Sequence, residues 1–351
     1  MNWEAIDGRL GIMPIPETSV VIPNWNGSDL LKTCLSSLKR QIYQDFEIIV
    51  VDNGSSDDSI QYIESVHPEV RIIKLPVNKG FCAAVNSGIK SARGKYVALL
   101  NNDTEAGPAW LGELVKALNE NIDVGLCASK MMNYFNRNLI DNAGDMLCYY
   151  GHTVGRNEID AGQYDRPRYI FSACAGAAIY RKELFADVGF FDEDFFAYYE
   201  DIDIGMRAQL KGYKCLYVPA AVVYHMIQAT SGQIPAKRFI WMQRNIICVH
   251  LKNMPVKLLG QIAATFFILH SYSTLLYIIK TKDIKTIIKL YCNIIKILPR
   301  TIKKRSDIQK QITVPASYIK SIAGPFPTLF DYFKKHISRI KDFFKTSLLD
   351  K

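Results

Sequence analysis

Three short β-branched runs mark the first hundred residues, and each gives way to polar residues at its carboxyl end. Ser19–Pro23 leads into Asn24, Trp25, Asn26 and Gly27; Glu47–Asp52 leads into Asn53, Gly54, Ser55 and Ser56; Tyr96–Asp103 closes on its own Asn-Asn-Asp. Apolar runs of this length bounded by turn residues read as strands. Between them the apolar positions recur at helical spacing. A helix is predicted over Asp29–Gln41, capped by Ser28 or Asp29, and another over Asp57–Val66, behind the Asn53–Ser56 turn. Strand and helix in alternation predict parallel pairing through right-handed crossovers, and ligands of such sheets bind beyond the carboxyl ends of the strands. Asn24, Asn26, Asp52, Asn53, Asn102 and Asp103 all fall there.

Phe190–Arg207 breaks this pattern, because its acids Asp192, Glu193, Asp194, Glu200, Asp201 and Asp203 stand among aromatics with no base between Lys182 and Arg207. A surface helix would pair such acids with Lys or Arg at i,i+4; these must repel one another or meet a cation from elsewhere. Either situation perturbs carboxylate pKa values, as a general base requires, and Glu200–Asp201 is the best candidate pair. The plainer reading is an acidic turn whose aromatics are core. Asp203 pairs with Arg207 if a helix continues through both.

A dinucleotide enzyme would carry G-x-G-x-x-G after the first strand. Pro23-Asn-Trp-Asn-Gly27 is not that motif, and no Walker loop follows any strand. Asp52 offers a carboxylate where the donor groups of a nucleoside could be read. Asp103 offers a hard oxygen suited to Mg²⁺ or Mn²⁺ bound together with substrate phosphates.

The order VIPNWN, VVDNGSSDDS, NKGFCAAVNSGI, LLNNDT and GAAIYRKELFADVGFFDEDFFAYYEDIDIGMR closely resembles the family 2 glycosyltransferases of the GT-A fold, and among them the bacterial rhamnosyltransferase-type enzymes. The resemblance runs from Thr18 to Ser231. It implies an α/β nucleotide-sugar-binding fold, a mixed Rossmann-like sheet flanked by helices, acting on a dTDP- or UDP-sugar donor with inversion and a divalent metal. Carried over residue by residue, Pro23, Asn24 and Asn26 match the first donor-side loop and Asp52 the acid that contacts the nucleobase, with Asn53 beside it. Asn78, Gly80 and Asn86 match a second donor segment. Asp103 matches the last acid of the D-x-D metal motif, although Asn101 and Asn102 stand where acids are often found. His225 lies about where related enzymes place a metal-binding histidine, a core or rim histidine being the alternative. Asp201 matches the base, with Glu200 in support. The chemistry is a single displacement by an acceptor hydroxyl, which needs one base because diphosphate is already a good leaving group. A nucleotidyltransferase would share the fold but carry a basic Gly-rich loop after the first strand. A degenerate scaffold protein is suggested by Asn-Asn-Asp and opposed by the intact Asp52, Asp103 and Asp201.

Between the metal and base motifs, Met131–Arg168 is polar, Gly- and Tyr-rich and without clear periodicity. It reads as an acceptor-recognition loop with His152, Arg156 and Arg168 as candidates, or as disorder.

Charge then divides the chain. Residues 1–236 hold 21 Lys+Arg against 29 Asp+Glu, a net of −8, whereas residues 237–351 hold 22 against 5, a net of +17. The expected organisation is an N-terminal extension (1–17), a catalytic domain (18–236) and a basic amphipathic helical region (237–351). Its bases alternate with apolar segments rather than Gly/aromatic repeats, which argues against nucleic acid and for an anionic membrane surface. Leu258–Ile279 contains 22 residues without a charge. That length can span a bilayer, but its polar residues and the amphipathic Asp283–Leu298 favour helices lying in the membrane plane. Phe330–Leu349 repeats the amphipathic spacing. Packing on the catalytic domain, or on a second subunit as in a homodimer, is the alternative. Met1–Glu17 lacks a signal-peptide pattern, so the site is expected at the cytoplasmic face of the membrane, with a glycan or polyprenyl-diphosphate-linked acceptor in cell-surface polysaccharide synthesis. The eight cysteines show no C-x-x-C and read as reduced core residues. Around Trp241 no Q-x-x-R-W of processive family members occurs, which favours adding one or a few residues.

Overall fold

The structure, a computed structural model, describes residues 15–227, 235–324 and 326; the helix predicted over Phe330–Leu349 lies outside them, as does most of the 1–17 extension. The first half alternates as expected: β1 (Thr18–Asn24), α1 (Ser28–Lys39), β2 (Phe46–Asp52), α2 (Ser59–Val66), β3 (Arg71–Lys74), α3 (Phe81–Ser91) and β4 (Tyr96–Leu100). These strands pair in parallel in the order β3-β2-β1-β4. Their side chains divide strictly by parity. Val21, Ile49, Val51, Val97 and Leu99 enter one core, Val20, Ile22, Ile48, Val50, Tyr96, Ala98 and Leu100 the other. Burial on both faces is why the runs are continuously apolar.

The chain continues through β5 (Thr104–Ala106), α4 (Trp110–Glu120), β6 (Val124–Asn133), β7 (Ile140–Asn142), β8 (Asp145–Leu147), β9 (Gly151–Thr153), β10 (Arg168–Ile170), β11 (Ala177–Arg181), α5 (Lys182–Val188), α6 (Glu200–Leu210) and β12 (Lys214–His225). β11 inserts antiparallel between β4 and β6, and β12 pairs parallel to β6, so the sheet is mixed and flanked by helices on both faces. This is the fold class expected from the sequence.

Three local expectations change. Neither Ser28 nor Asp29 caps α1; Asp57 does so from the following loop, its Oδ2 accepting from the Ser28 N–H at 3.0 Å while its Oδ1 binds Ser59. The third strand stops at Leu100, and Asn101–Asp103 turn away before β5. Met131–Arg168 is neither a loose loop nor shapeless. It carries β7, β8 and β9, and Ile140–Asp145 are buried.

Among the described residues four further helices follow, α7 (Pro235–Asn253), α8 (Val256–Thr281), α9 (Ile284–Lys310) and α10 (Ala316–Ile322). α7 packs against α9 and α6. α8 is long and apolar enough to cross a membrane, and exposes Phe267, Leu275 and Ile279.

Candidate active site

The donor-side residues gather at the carboxyl ends of β1, β2 and β4. β1 and β2 are in register at Asn24 and Asp52, which sets the two side chains adjacent: the Asn24 Nδ2 donates to Asp52 Oδ1 at 3.4 Å, and the Asn24 Oδ1 accepts from Asn102 Nδ2 at 2.7 Å. Gly27 leaves room for that second bond, since a Cβ there would stand 2.2 Å from the Asn102 amide nitrogen. Pro23 ends the buried run, and Asp52 Oδ2 accepts from the Ser55 N–H at 3.1 Å. Asn26 takes φ 49°, a left-handed conformation Asn tolerates, and its Oδ1 accepts from Ser56 N–H at 2.7 Å. Asn53 ties in the second segment: its Oδ1 accepts from Lys79 N–H, and its Nδ2 donates to Asn78 and to the Gly80 carbonyl. Asn86 is placed otherwise. Its amide is spent on the Phe191 backbone in both directions and on Glu193, so it fastens the acid loop to α3.

The metal-motif residues meet across β5 and β12, where Thr104 pairs with His225. The His225 imidazole lies between two carboxylates, Nδ1 2.8 Å from Asp141 Oδ2 and Nε2 3.3 Å from Asp103 Oδ1. Burial opposes its charge, but the two acids outweigh burial and push its pKa up to about 9. Asp103 Oδ1 is buried and meets the His225 imidazole as an ion pair rather than as a well-aligned hydrogen bond.

The third group centres on Asp201 at the start of α6. Its carboxylate accepts from the Ile202 and Ala175 N–H groups, and its ligand atoms lie within 4.8 Å of those of Asp145 and Cys174. Two carboxyls so close cannot both ionise freely. Burial, and then the charge on Asp201, push Asp145 up to about 8; burial also raises Asp201, while its two N–H bonds hold it down. Glu200 is pushed well above the carboxylate range by burial and then by Asp201. Ala175–Gly176 joins this group to the metal motif, because the Ala175 N–H faces Asp201 while the Gly176 carbonyl accepts from the Asn101 N–H at 2.8 Å.

The sequence profile described as glycosyl transferase family 2 matches residues 19–189, which contain the donor residues and Asp103. That segment is a glycosyltransferase family 2 domain. The chain is 32 % identical over 240 residues to an uncharacterized protein of Sinorhizobium fredii, covering 64 % of this chain and 26 % of that protein. It is 28 % identical over 229 residues to the O-antigen biosynthesis protein RfbC of Myxococcus xanthus, covering 62 % and 18 %. It thus spans roughly a quarter or less of those relatives' lengths. The family 2 domain and its helices superpose on S. aureus TarS residues 1–349 in complex with UDP with a TM-score of 0.55 at 18 % identity, covering 88 % of this chain and 90 % of that one. GalNAc-T7 with UDP, GalNAc and Mn²⁺ gives 0.54 at 18 %, covering 68 % of this chain and 48 % of that one. The fold around the family 2 domain is GT-A.

Residues that sequence reasoning passed over complete the site. Asp141 and Asp145 belong to Asp141-Asn-Ala-Gly-Asp145, a turn signature inside the segment read as irregular, where Gly144 takes φ 106°. Of the acceptor-loop candidates, Arg156 pairs with Asp141 at 3.2 Å, and Arg168 stacks on Tyr164 and Tyr217 with a bond to the Ala143 carbonyl. His152 lies on β9, which pairs with β8 beside Asp145. The outside cation for the acid stretch proves to be several: Lys252 of α7 binds Asp192 at 2.5 Å and Asp203 at 2.8 Å, and Lys304 of α9 binds Asp192 and Asp194. Asp203 also pairs with Arg207 at 2.9 Å.

Proposed function

We propose that this chain is an inverting, metal-assisted glycosyltransferase that moves a sugar, with rhamnose as the leading candidate, from a dTDP- or UDP-sugar to a hydroxyl of a glycan or polyprenyl-diphosphate-linked acceptor in cell-surface polysaccharide synthesis. The observation that carries the reading is the single Cys174–Gly176 segment, whose Cys174 Sγ lies within 4.8 Å of the Asp201 carboxylate and whose Gly176 carbonyl accepts from the Asn101 N–H at 2.8 Å. It brings a raised carboxylate and the His225-paired carboxylate of Asp103 to the same end of the sheet.

Asp103 and His225 fit a divalent cation, since a buried carboxylate oxygen and an imidazole nitrogen face each other at 3.3 Å and the histidine, on giving up its proton, offers a second ligand atom. Bound there with the donor, Mg²⁺ or Mn²⁺ supplies positive charge beside the diphosphate oxygens. Asp52 and Asn24 are read as facing the nucleobase side, with Asn53, Asn78 and Gly80 shaping the second donor loop and Asn86 holding the acid loop. Asp201 accepts the proton of the acceptor hydroxyl as its oxygen bonds to the anomeric carbon and the bond from that carbon to the diphosphate oxygen breaks. Burial raises both Asp145 and Asp201, and they titrate as a pair, so one of the two carboxyls stays ionised and can accept a proton while the other is protonated.

Residues 18–236 are read as the catalytic domain and the following helices as the membrane-associating part. Support comes from the exposed apolar side chains of α8 and of α9, among them Ile288 and Ile295, flanked by Lys280, Lys282, Lys285 and Lys289. Helices lying in the plane predict release by high salt or alkaline carbonate, whereas a spanning α8 would need detergent. The function is tested by a donor screen that reads nucleoside diphosphate release with soluble and lipid-linked acceptors; no release with any nucleotide sugar would end the reading. In the same assay Asp103→Ala should weaken metal-dependent donor binding, and unchanged metal dependence would move the cation site elsewhere.

A further inference from the structure

The six residues before Glu200 follow a path that side chains disfavour. Phe196, Tyr198 and Tyr199 have φ of 63°, 72° and 66°, and none is glycine. A segment like this persists only where its surroundings over-determine it, and the carbonyls of Asp194–Tyr199 show what does so. Asp203 N–H bonds the Tyr199 carbonyl, and Cys82 N–H bonds that of Phe196. The remaining four go to two adjacent side chains of α7, the Phe195 carbonyl also accepting from the Ala197 N–H at 2.8 Å. Arg244 donates to the Asp194 and Phe195 carbonyls at 2.7 and 3.0 Å, and Asn245 Nδ2 donates to those of Phe195, Ala197 and Tyr198 at 3.0, 2.9 and 2.8 Å. One amide with two hydrogens serves three carbonyls, so it sits at their focus. Arg244 Nε in turn donates to Asn245 Oδ1 at 2.9 Å, which fixes the amide's orientation, and Trp241 one turn earlier stacks on Phe196 with ring centroids 4.6 Å apart.

We propose that Arg244 and Asn245 are positioning residues for the transfer: they hold the carbonyls of this loop so that Glu200 and Asp201 start α6 at the place where the acceptor hydroxyl is deprotonated. The inference rests on the reading of Asp201 as the base. It assigns a role in the chemistry to a helix that lies beyond residues 19–189, the segment matched by the family profile. Neither residue touches the Asp201 carboxylate; they act through the backbone that carries it.

Asn245→Asp is the decisive variant. It keeps the size and the oxygen that accepts from Arg244, and puts an anionic oxygen where the amide donors met the three carbonyls, so the loop is repelled rather than held. In the full-length protein, metal-dependent nucleoside diphosphate binding should keep its stoichiometry and affinity. The turnover number should fall at least about tenfold, since a small misplacement of a reacting group costs that much or more. The acidic limb of its pH profile should move to lower pH as the loosened loop lets water reach Asp201. A purely structural role would instead reduce binding stoichiometry and turnover together and leave the pH profile in place, and that result would overturn the proposal. Arg244→Lys, which retains the charge but not the two-pronged donation, guards against a folding failure of the first variant and should show the same split. Asp201→Asn, run in parallel, separates the two readings. Normal turnover there retires the base assignment while a loss in Asn245→Asp still supports the loop's role; normal turnover in Asn245→Asp and Arg244→Lys beside an inactive Asp201→Asn overturns the positioning role alone.

Discussion

The two walls of the site are held in opposite ways. The donor wall is built from neutral amides and one buried acid: Asn24, Asn102, Asp52, Asn53 and Asn78 bond one another and the turns just beyond their own strands. The base wall is built from charge. Asp192, Asp194 and Asp203 are buried or half-buried and are balanced by Arg207 nearby and by Lys252 and Lys304 from helices more than forty residues downstream. A buried neutral group that loses its hydrogen-bond partner costs about 1–3 kcal/mol, whereas a buried charge that loses its partner costs about 3–5 kcal/mol. The donor wall should therefore tolerate single changes, and the base wall should not.

The largest effect is expected at the base. Asp201→Asn preserves shape and removes proton acceptance, so turnover should fall by about 10²-fold or more with donor binding largely kept, read as single-turnover transfer beside calorimetric donor titration. Near-normal turnover would sink the assignment.

Next comes the charge network. Lys252→Met removes the cation that two buried acids share and should cost roughly 3 kcal/mol in urea unfolding. A cost below about 1 kcal/mol would mean that Lys304 and Arg207 suffice, in line with a surface-like pair.

The same network sets an acid limit. Burial works to raise Asp192 and Asp203, but Lys252 with Lys304 outweighs it at the first and Lys252 with Arg207 at the second, so both are held below the ordinary range. Groups with depressed folded-state pKa values contribute stability above their unfolded value, about 3.9, and lose it as pH falls below that toward the folded value. Unfolding midpoints should be flat from neutral pH to about 5 with respect to these two groups, then decline below about 4, and in Lys252→Met that decline should be shallower, because the folded values rise toward the unfolded one. A decline as steep as in the parent protein would show that the acids are not held down by Lys252.

The smallest effect is expected on the donor wall. Asn24→Ala breaks the bonds to Asp52 and Asn102 and should cost about 1 kcal/mol, seen as a roughly fivefold weaker nucleoside diphosphate affinity, with the acid edge unchanged. A shift of that edge would contradict the independence of the two walls.

By itself the sequence determined the alternating half of the sheet, since Ser19–Pro23, Glu47–Asp52 and Tyr96–Leu100 are apolar on both faces and end in turn residues whose conformations few side chains adopt. It also brought Asn24, Asp52 and Asp103 to one end of the sheet, because parallel strands share a carboxyl edge. It marked Phe190–Arg207 as unbalanced and in need of outside charge. Which charge answers was decided only in three dimensions. Lys252 lies about fifty residues from Asp203 and Lys304 more than a hundred from Asp192, and no local spacing links them. The buried place of Asp141 and Asp145 was likewise invisible, because short strands such as β7 and β8 gain their order from pairing and packing rather than from a period of their own. Even the cap of α1 came from Asp57 in the next loop. Local chemistry writes strands, helices and their ends; long-range electrostatics and packing choose partners, since the free energy of a buried charge depends on what surrounds it and not on its neighbours along the chain.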